Sequence, residues 1–133
     1  MSLGEEERRS MVALEIERAQ NTVSEMDYLA KGKLWNNMAS RLYYAVFHAV
    51  SALMIHDGHI VNTHKGSHVL FSQYYVRTGK LPQEYGQLYR QLEIMRNDGD
   101  YNCYHNVTPE ELIDRIEPAK KMIDTIAEMV KQK

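Results

Sequence analysis

"LWNNMASRLYYAVFHAVSALMI", residues 34–55, is the stretch on which the fold turns. Trp35, Met38, Leu42, Ala45, Ala49 and Ala52 recur at three- and four-residue steps, the period of one helix face. Tyr43, Val46, Phe47, Val50 and Leu53 widen that face well beyond a single stripe. A helix apolar over so much of its girth belongs in the middle of a bundle, or faces a partner subunit. His56-Asp57-Gly58 ends it.

The flanking segments read as helices that cover this one. On the N-terminal side the spacing predicts a helix from Glu5 to Ala30, with Val12, Ile16, Ala19, Val23, Met26 and Ala30 on one face. Lys31-Gly32-Lys33 is its natural stop, glycine accepting the left-handed backbone of a helix end. On the C-terminal side, Asn62 or Thr63 caps a third helix that runs to Arg77 and stops at Thr78-Gly79. A fourth begins after Pro82, carries Tyr85, Leu88, Leu92 and Met95, and ends near Arg96. Thr108-Pro109-Glu110-Glu111 opens a fifth: cap hydroxyl, first-turn proline, and a glutamate three residues after the threonine. Leu112, Ile116, Ala119, Ile123, Ile126 and Val130 form its apolar face, and Pro118 falls inside it. The expectation is an all-α, up-and-down bundle of about five helices in a single domain over residues 1–133. Residues 1–4 read as a tag remnant or a disordered start.

Composition narrows the function. The net charge is −2, so no global basic field draws in nucleic acid, and any nucleic-acid chemistry has to be local. The single cysteine, Cys103, forms no internal disulfide, which suits a reducing cytoplasm. No segment reads as long and apolar enough to cross a bilayer, and no signal-peptide pattern opens the chain. The location expected is cytoplasmic, with no membrane partner. No glycine-rich phosphate loop, paired-cysteine site or Ser/His/Asp signature occurs, and no cofactor is expected.

Histidine, tyrosine and arginine remain. His56, His59, His64 and His68 fall within thirteen residues, and His64 and His68 share a helix face at a spacing that can bind a metal. No second ligand motif completes such a site, so these are read as cap and surface residues and no metal is assigned. His48 reads as a core or interface histidine with a hydrogen-bond partner. The nine tyrosines mostly fit amphipathic stripes, with core packing and a hydroxyl reaching the surface. "RNDGDYNCYHN", residues 96–106, concentrates the remaining polar chemistry. Arg96 offers a planar fork of donors for a phosphate. A tyrosine or histidine farther along would move a proton, which suffices for attack of a 2′-hydroxyl on an RNA phosphodiester. By residue type alone, Asn97-Asp98-Gly99-Asp100 is a turn, and that is the favoured reading of the segment in isolation.

Three blocks together, "SRLYYAVFHAVSALM", "THKGSHVLFSQYYVRTGKLP" and "RNDGDY", resemble an uncharacterised prokaryotic branch of the HEPN superfamily (higher eukaryotes and prokaryotes nucleotide-binding domain). The likeness spans about Leu34 to Val130. It implies a homodimeric helical bundle of a toxin–antitoxin type, an RNase that needs no metal, and a nucleotidyltransferase antitoxin as partner. It also implies RNA or nucleotide as ligand. In active branches an arginine, commonly followed by a polar residue, precedes a histidine by four to six intervening residues. Arg96 and Asn97 match its start, Tyr101 stands where the histidine is due, and His105 comes later. The resemblance thus assigns catalysis to Arg96, Asn97, Tyr101 and His105, and makes Tyr101 and Tyr104 the candidates for adenylylation by the partner. The departure at Tyr101 leaves a second function open: a non-catalytic nucleotide-binding or protein-interaction module.

Overall fold

The structure, a computed structural model, describes residues 4–101 and 106–131. Its helices are α1 (Glu5–Val23), α2 (Met26–Lys31), α3 (Trp35–His56), α4 (His64–Phe71), α5 (Gln83–Tyr101) and α6 (Pro109–Lys131). A π-helical turn, Ser72–Val76, continues α4. The architecture is the all-α bundle expected, and no strand occurs among the described residues.

α3 is the hub and packs on α1, α5 and α6. Side-chain pairs give the directions. Glu25 and Glu15 of the N-terminal segment meet Arg41 and His48 of α3, an antiparallel order. Asn36 and Tyr44 of α3 meet the far end and then Arg96 of α5, again antiparallel. Gln91 and Tyr85 of α5 meet Arg115 and Thr125 of α6 in the same sense. The four long helices therefore run up and down. α4 and its π turn cross between α3 and α5.

The breadth of apolar surface on α3 is used within the chain. Met38, Ala39, Leu42, Tyr43, Ala45, Val46, Ala49 and Val50 are fully buried. This weakens the argument that the same surface faces a second subunit. It also corrects the reading on membranes. α3 has 22 residues and holds an 18-residue window with a mean hydropathy of 1.2, so by length and composition it could cross a bilayer. Here that apolar surface forms the core of a bundle.

Local chemistry sets most helix ends. Thr63 caps α4, its Oγ1 accepting from the Gly66 amide at 2.9 Å. Thr108 and Glu111 form the reciprocal capping box at α6. Gly58 closes α3 in the left-handed region, with the His59 amide donating to the Met54 carbonyl. The stop after α2 differs from expectation: Lys33, not Gly32, takes the left-handed backbone, at φ 56°. The amides of Lys33 and Leu34 bond back to the carbonyls of Ala30 and Leu29, and that closed pair of bonds holds the strained residue.

Three helix boundaries also depart from the sequence reading. The first helix breaks at Ser24–Glu25, and the Glu25 carboxylate is gripped by both Arg41 donors at 2.9 Å. The third is α-helical only to Phe71 before the π turn. The fourth does not stop at Arg96. It runs through Asn97-Asp98-Gly99-Asp100 to Tyr101, so the turn expected there is helix. Gly99 has its place because Val107 and Asn36 crowd it; an added Cβ would lie 3.2 Å from a Val107 methyl. Asn36 then accepts from the Val107 amide at 2.7 Å and ties the incoming chain to α3.

His48 has its partner: its Nδ1 lies 2.9 Å from Glu15 on α1. Burial pushes the Glu15 carboxyl up, but the bond and charge of His48, with Arg18, bring it net below its ordinary value. A depressed carboxyl contributes stability above its unfolded pKa, about 4.5, and loses it as pH falls through the lower folded value. Glu15→Gln should therefore flatten the acid limb of Tm against pH, which thermal melts from pH 3 to 7 would reveal. Leu42→Ala, at the centre of the hub, should cost about 2–5 kcal/mol in urea unfolding.

Candidate functional site

Arg96 is half-buried on α5 where that helix crosses α3. Its Nη2 donates to the Tyr44 hydroxyl at 2.9 Å and its Nη1 to Asn97 Oδ1 at 3.2 Å. Its guanidinium carbon lies 5.2 Å from the Tyr44 ring and 5.8 Å from the Tyr43 ring. Two π faces and a phenol thus hold the cation at a fixed place. The Tyr44 hydroxyl accepts from Arg96 and keeps its own hydrogen to donate.

Behind Tyr44 lies a polar network inside the core. The Tyr43 hydroxyl is 2.9 Å from His64 Nδ1 and 3.3 Å from His68 Nε2. His68 Nε2 is also 3.2 Å from a Glu93 carboxylate oxygen, and its ring stacks on Tyr89 at 3.8 Å. The Tyr89 hydroxyl meets Ser67 at 2.8 Å. Proton counting assigns the directions. A carboxylate only accepts, so His68 carries its hydrogen on Nε2. The one Tyr43 hydrogen then goes to His64 Nδ1, and His64 keeps its hydrogen on Nε2. Burial and the Glu93 charge push the Tyr43 phenol up to about 12, so it remains a donor at any physiological pH. Burial, and then Tyr43, push Tyr89 up as well. Burial lowers His68, against the pull of Glu93, which keeps that ring neutral near pH 7.

The structure thus joins residues that the sequence reading held apart. His64 and His68 are not surface caps; they are partly buried partners of Tyr43. Among the described residues no group of three or more His, Cys, Asp and Glu is placed to hold a metal ion. His56 pairs with Asp57, and His59 stacks on Tyr74 at 4.3 Å, so the four histidines do not form one cluster. Of the residues assigned to catalysis, Arg96 and Asn97 are adjacent and hydrogen-bonded. Tyr101 lies five positions further along α5, about 140° round its axis and about 7.5 Å along it. Cys103, Tyr104, His105 and the Tyr101 side chain lie outside the described residues. Tyr43, Tyr44, His64, His68 and Glu93 went unassigned. A signal for the first four was present: they sit in the two blocks that accompany the Arg96 block.

A family model described as HEPN domain matches residues 12–130. The chain belongs to the HEPN family. Among its curated relatives, a protein of Thermotoga maritima named "UPF0332 protein" is 30% identical over 113 residues, covering 85% of this chain and 86% of the relative. A protein of Methanocaldococcus jannaschii named "Putative toxin MJ0605" is 29% identical over 130 residues, covering 98% of this chain and 96% of the relative. The "UPF0332 protein glr0978" of Gloeobacter violaceus is 33% identical over 89 residues, 65% of this chain and 68% of its own. This HEPN chain is therefore similar over nearly its whole length to the protein named "Putative toxin MJ0605".

In this HEPN protein, Tyr43 is the joint between the Arg96 end and the histidines. Tyr43→Phe removes the donor to His64 in a partly buried place and should cost about 1–3 kcal/mol in chemical unfolding. An unchanged denaturation midpoint would show that the network carries no stability.

Proposed function

We propose that this protein is a toxin-type HEPN RNase. The observation that carries the reading is Arg96, fixed by Tyr44, Tyr43 and Asn97 at the end of α5. The guanidinium binds the non-bridging oxygens of an RNA phosphodiester and offsets the charge that develops there. The neighbouring 2′-hydroxyl oxygen attacks phosphorus, forming a 2′,3′-cyclic phosphate. The bond to the 5′-oxygen breaks, and that oxygen leaves as a hydroxyl. A base removes the 2′ proton and an acid delivers one to the leaving oxygen. His105 has the side chain suited to this exchange, since histidine titrates near 6.5 and tyrosine near 10. The Tyr44 hydroxyl adds a donor toward the bound phosphate.

The names of the curated relatives support the toxin half of this reading. A nucleotidyltransferase antitoxin is the proposed partner, with Tyr101 and Tyr104 as its adenylylation targets. A homodimer is the proposed assembly. The exposed Ile113 of α6 gives it apolar surface. A mass of two chains at micromolar concentration in light scattering is the expected result, and a monomer mass contradicts it.

A second reading has its own support. Tyr101, on a helical continuation of α5, replaces the histidine of the family pattern, which favours nucleotide binding or protein interaction without turnover. One assay separates the two. Purified protein with total RNA in EDTA should degrade it, and Arg96→Ala should slow this by about 100-fold or more. His105→Ala should slow it by a similar factor, and Tyr101→Phe should leave most activity. RNA that survives equally with wild type, Arg96→Ala and buffer sinks the nuclease reading. Nucleotide binding by calorimetry in that case supports the second.

A further inference from the structure

α5 carries polar chemistry well before Arg96. Gln83, Gln87, Arg90, Ile94 and Asn97 recur at four- and three-residue steps, and all five are exposed. They form one solvent stripe along the helix. Arg90 and Asn97 are seven positions apart on it, about 10.5 Å along the axis.

At the first end of this stripe a cleft of 510 Å³ opens between α5 and the π turn. Arg77, Arg90, Gln83, Gln87 and Ser72 line it, with His68 among its walls. Among the described residues no aspartate or glutamate lines it, in a chain with 18 acidic and 16 basic residues. Among the described residues, neither Arg77 nor Arg90 has a carboxylate partner. The π turn is part of the construction. Such a turn inserts an extra residue into a helix and often marks a functional site. Here it supplies Ser72 and Val76, and Arg77 follows it directly. Val76 seats against the bare backbone of Gly86, where an added Cβ would lie 3.1 Å from its methyl. That close approach joins the two walls.

Two guanidinium forks with neutral amide and hydroxyl donors, and no competing carboxylate, suit the oxygens of a phosphate. The cleft also shares His68 with the Tyr43 network, whose other side is Arg96. We infer that the cleft is a second phosphate subsite, which together with Arg96 holds one RNA strand along the exposed stripe of α5. The strand assignment rests on the reading of Arg96 as a phosphate-handling residue. Ile94, exposed between the two ends, offers an apolar contact to a base.

Binding of a short, fluorescent, uncleavable 2′-O-methyl oligonucleotide to the full chain tests this by anisotropy across a KCl series. The Arg77→Gln/Arg90→Gln double variant should bind at least about tenfold more weakly. Its slope of log affinity against log salt should fall by about 1.4, the loss of two single-strand phosphate contacts. Both side chains are exposed, so its melting temperature should match wild type. Binding equal to wild type overturns the inference, and so does a wild type that binds no oligonucleotide at low salt. If Arg96→Gln weakens binding and the double variant does not, the cleft is wrong and the Arg96 reading stands. If only the double variant weakens it, the cleft stands as a phosphate site and the Arg96 reading fails. Adenosine monophosphate as competitor separates the sources. Displacement at concentrations as low as for unlabelled oligonucleotide overturns the strand assignment in favour of a free nucleotide.

Discussion

The burial of α3 is the constraint on which the rest of the structure depends. A helix with eleven buried residues cannot stand at the surface of a bundle. It needs cover on several sides, and α1, α5 and α6 supply it. Each long helix runs antiparallel to the one before it, the chain returning through α2 after α1 and through α4 and its π turn after α3. Residues with small side chains, Ala39, Ala45, Ala49 and Ala52, let the neighbours come close to the α3 backbone. Larger ones, Leu42, Leu53 and Met54, fill the spaces between.

The same constraint creates the candidate site. Tyr43 lies in the apolar girth of α3 and is fully buried, yet its hydroxyl has to be satisfied. That requirement pulls His64 and His68 inward from α4 and brings Glu93 of α5 into the same network. Tyr44, one position on, turns toward Arg96 and fixes it. Packing and chemistry are therefore one arrangement here. The side chains that close the core around Tyr43 also set the direction of each proton behind the arginine. Charge is handled locally in a chain of nearly balanced composition. Among the described residues, Arg77 and Arg90 stand without a carboxylate partner.

Several parts of this were legible in advance. The hub helix, the Thr63 cap, the Thr108–Glu111 capping box and the glycine stop at Gly58 depend on residues within a few positions of one another, and local chemistry decides them. The break at Ser24–Glu25 was not legible, because the grip on Glu25 comes from Arg41, sixteen residues away. Lys33, one residue past the glycine, takes the left-handed backbone and is held there by local bonds to the carbonyls of Ala30 and Leu29. Asn97-Asp98-Gly99-Asp100 has the composition of a turn, but contacts from Asn36 and Val107 hold it as helix. At Glu25 and at Asn97-Asp98-Gly99-Asp100, tertiary packing overrides local propensity.

The sequence by itself determined the all-α bundle, its central helix and the family, because apolar period and motif order are properties of the chain. It also singled out Arg96 and Asn97, whose residue types and adjacency need no fold to be seen. Only the tertiary structure decided that His64 and His68 face Tyr43 rather than solvent or a metal. It alone brought Tyr44 to Arg96, and Arg77 across the cleft from Arg90. These contacts join residues 13 to 52 positions apart. No local period encodes such distances; they follow from how tightly the other helices close on α3.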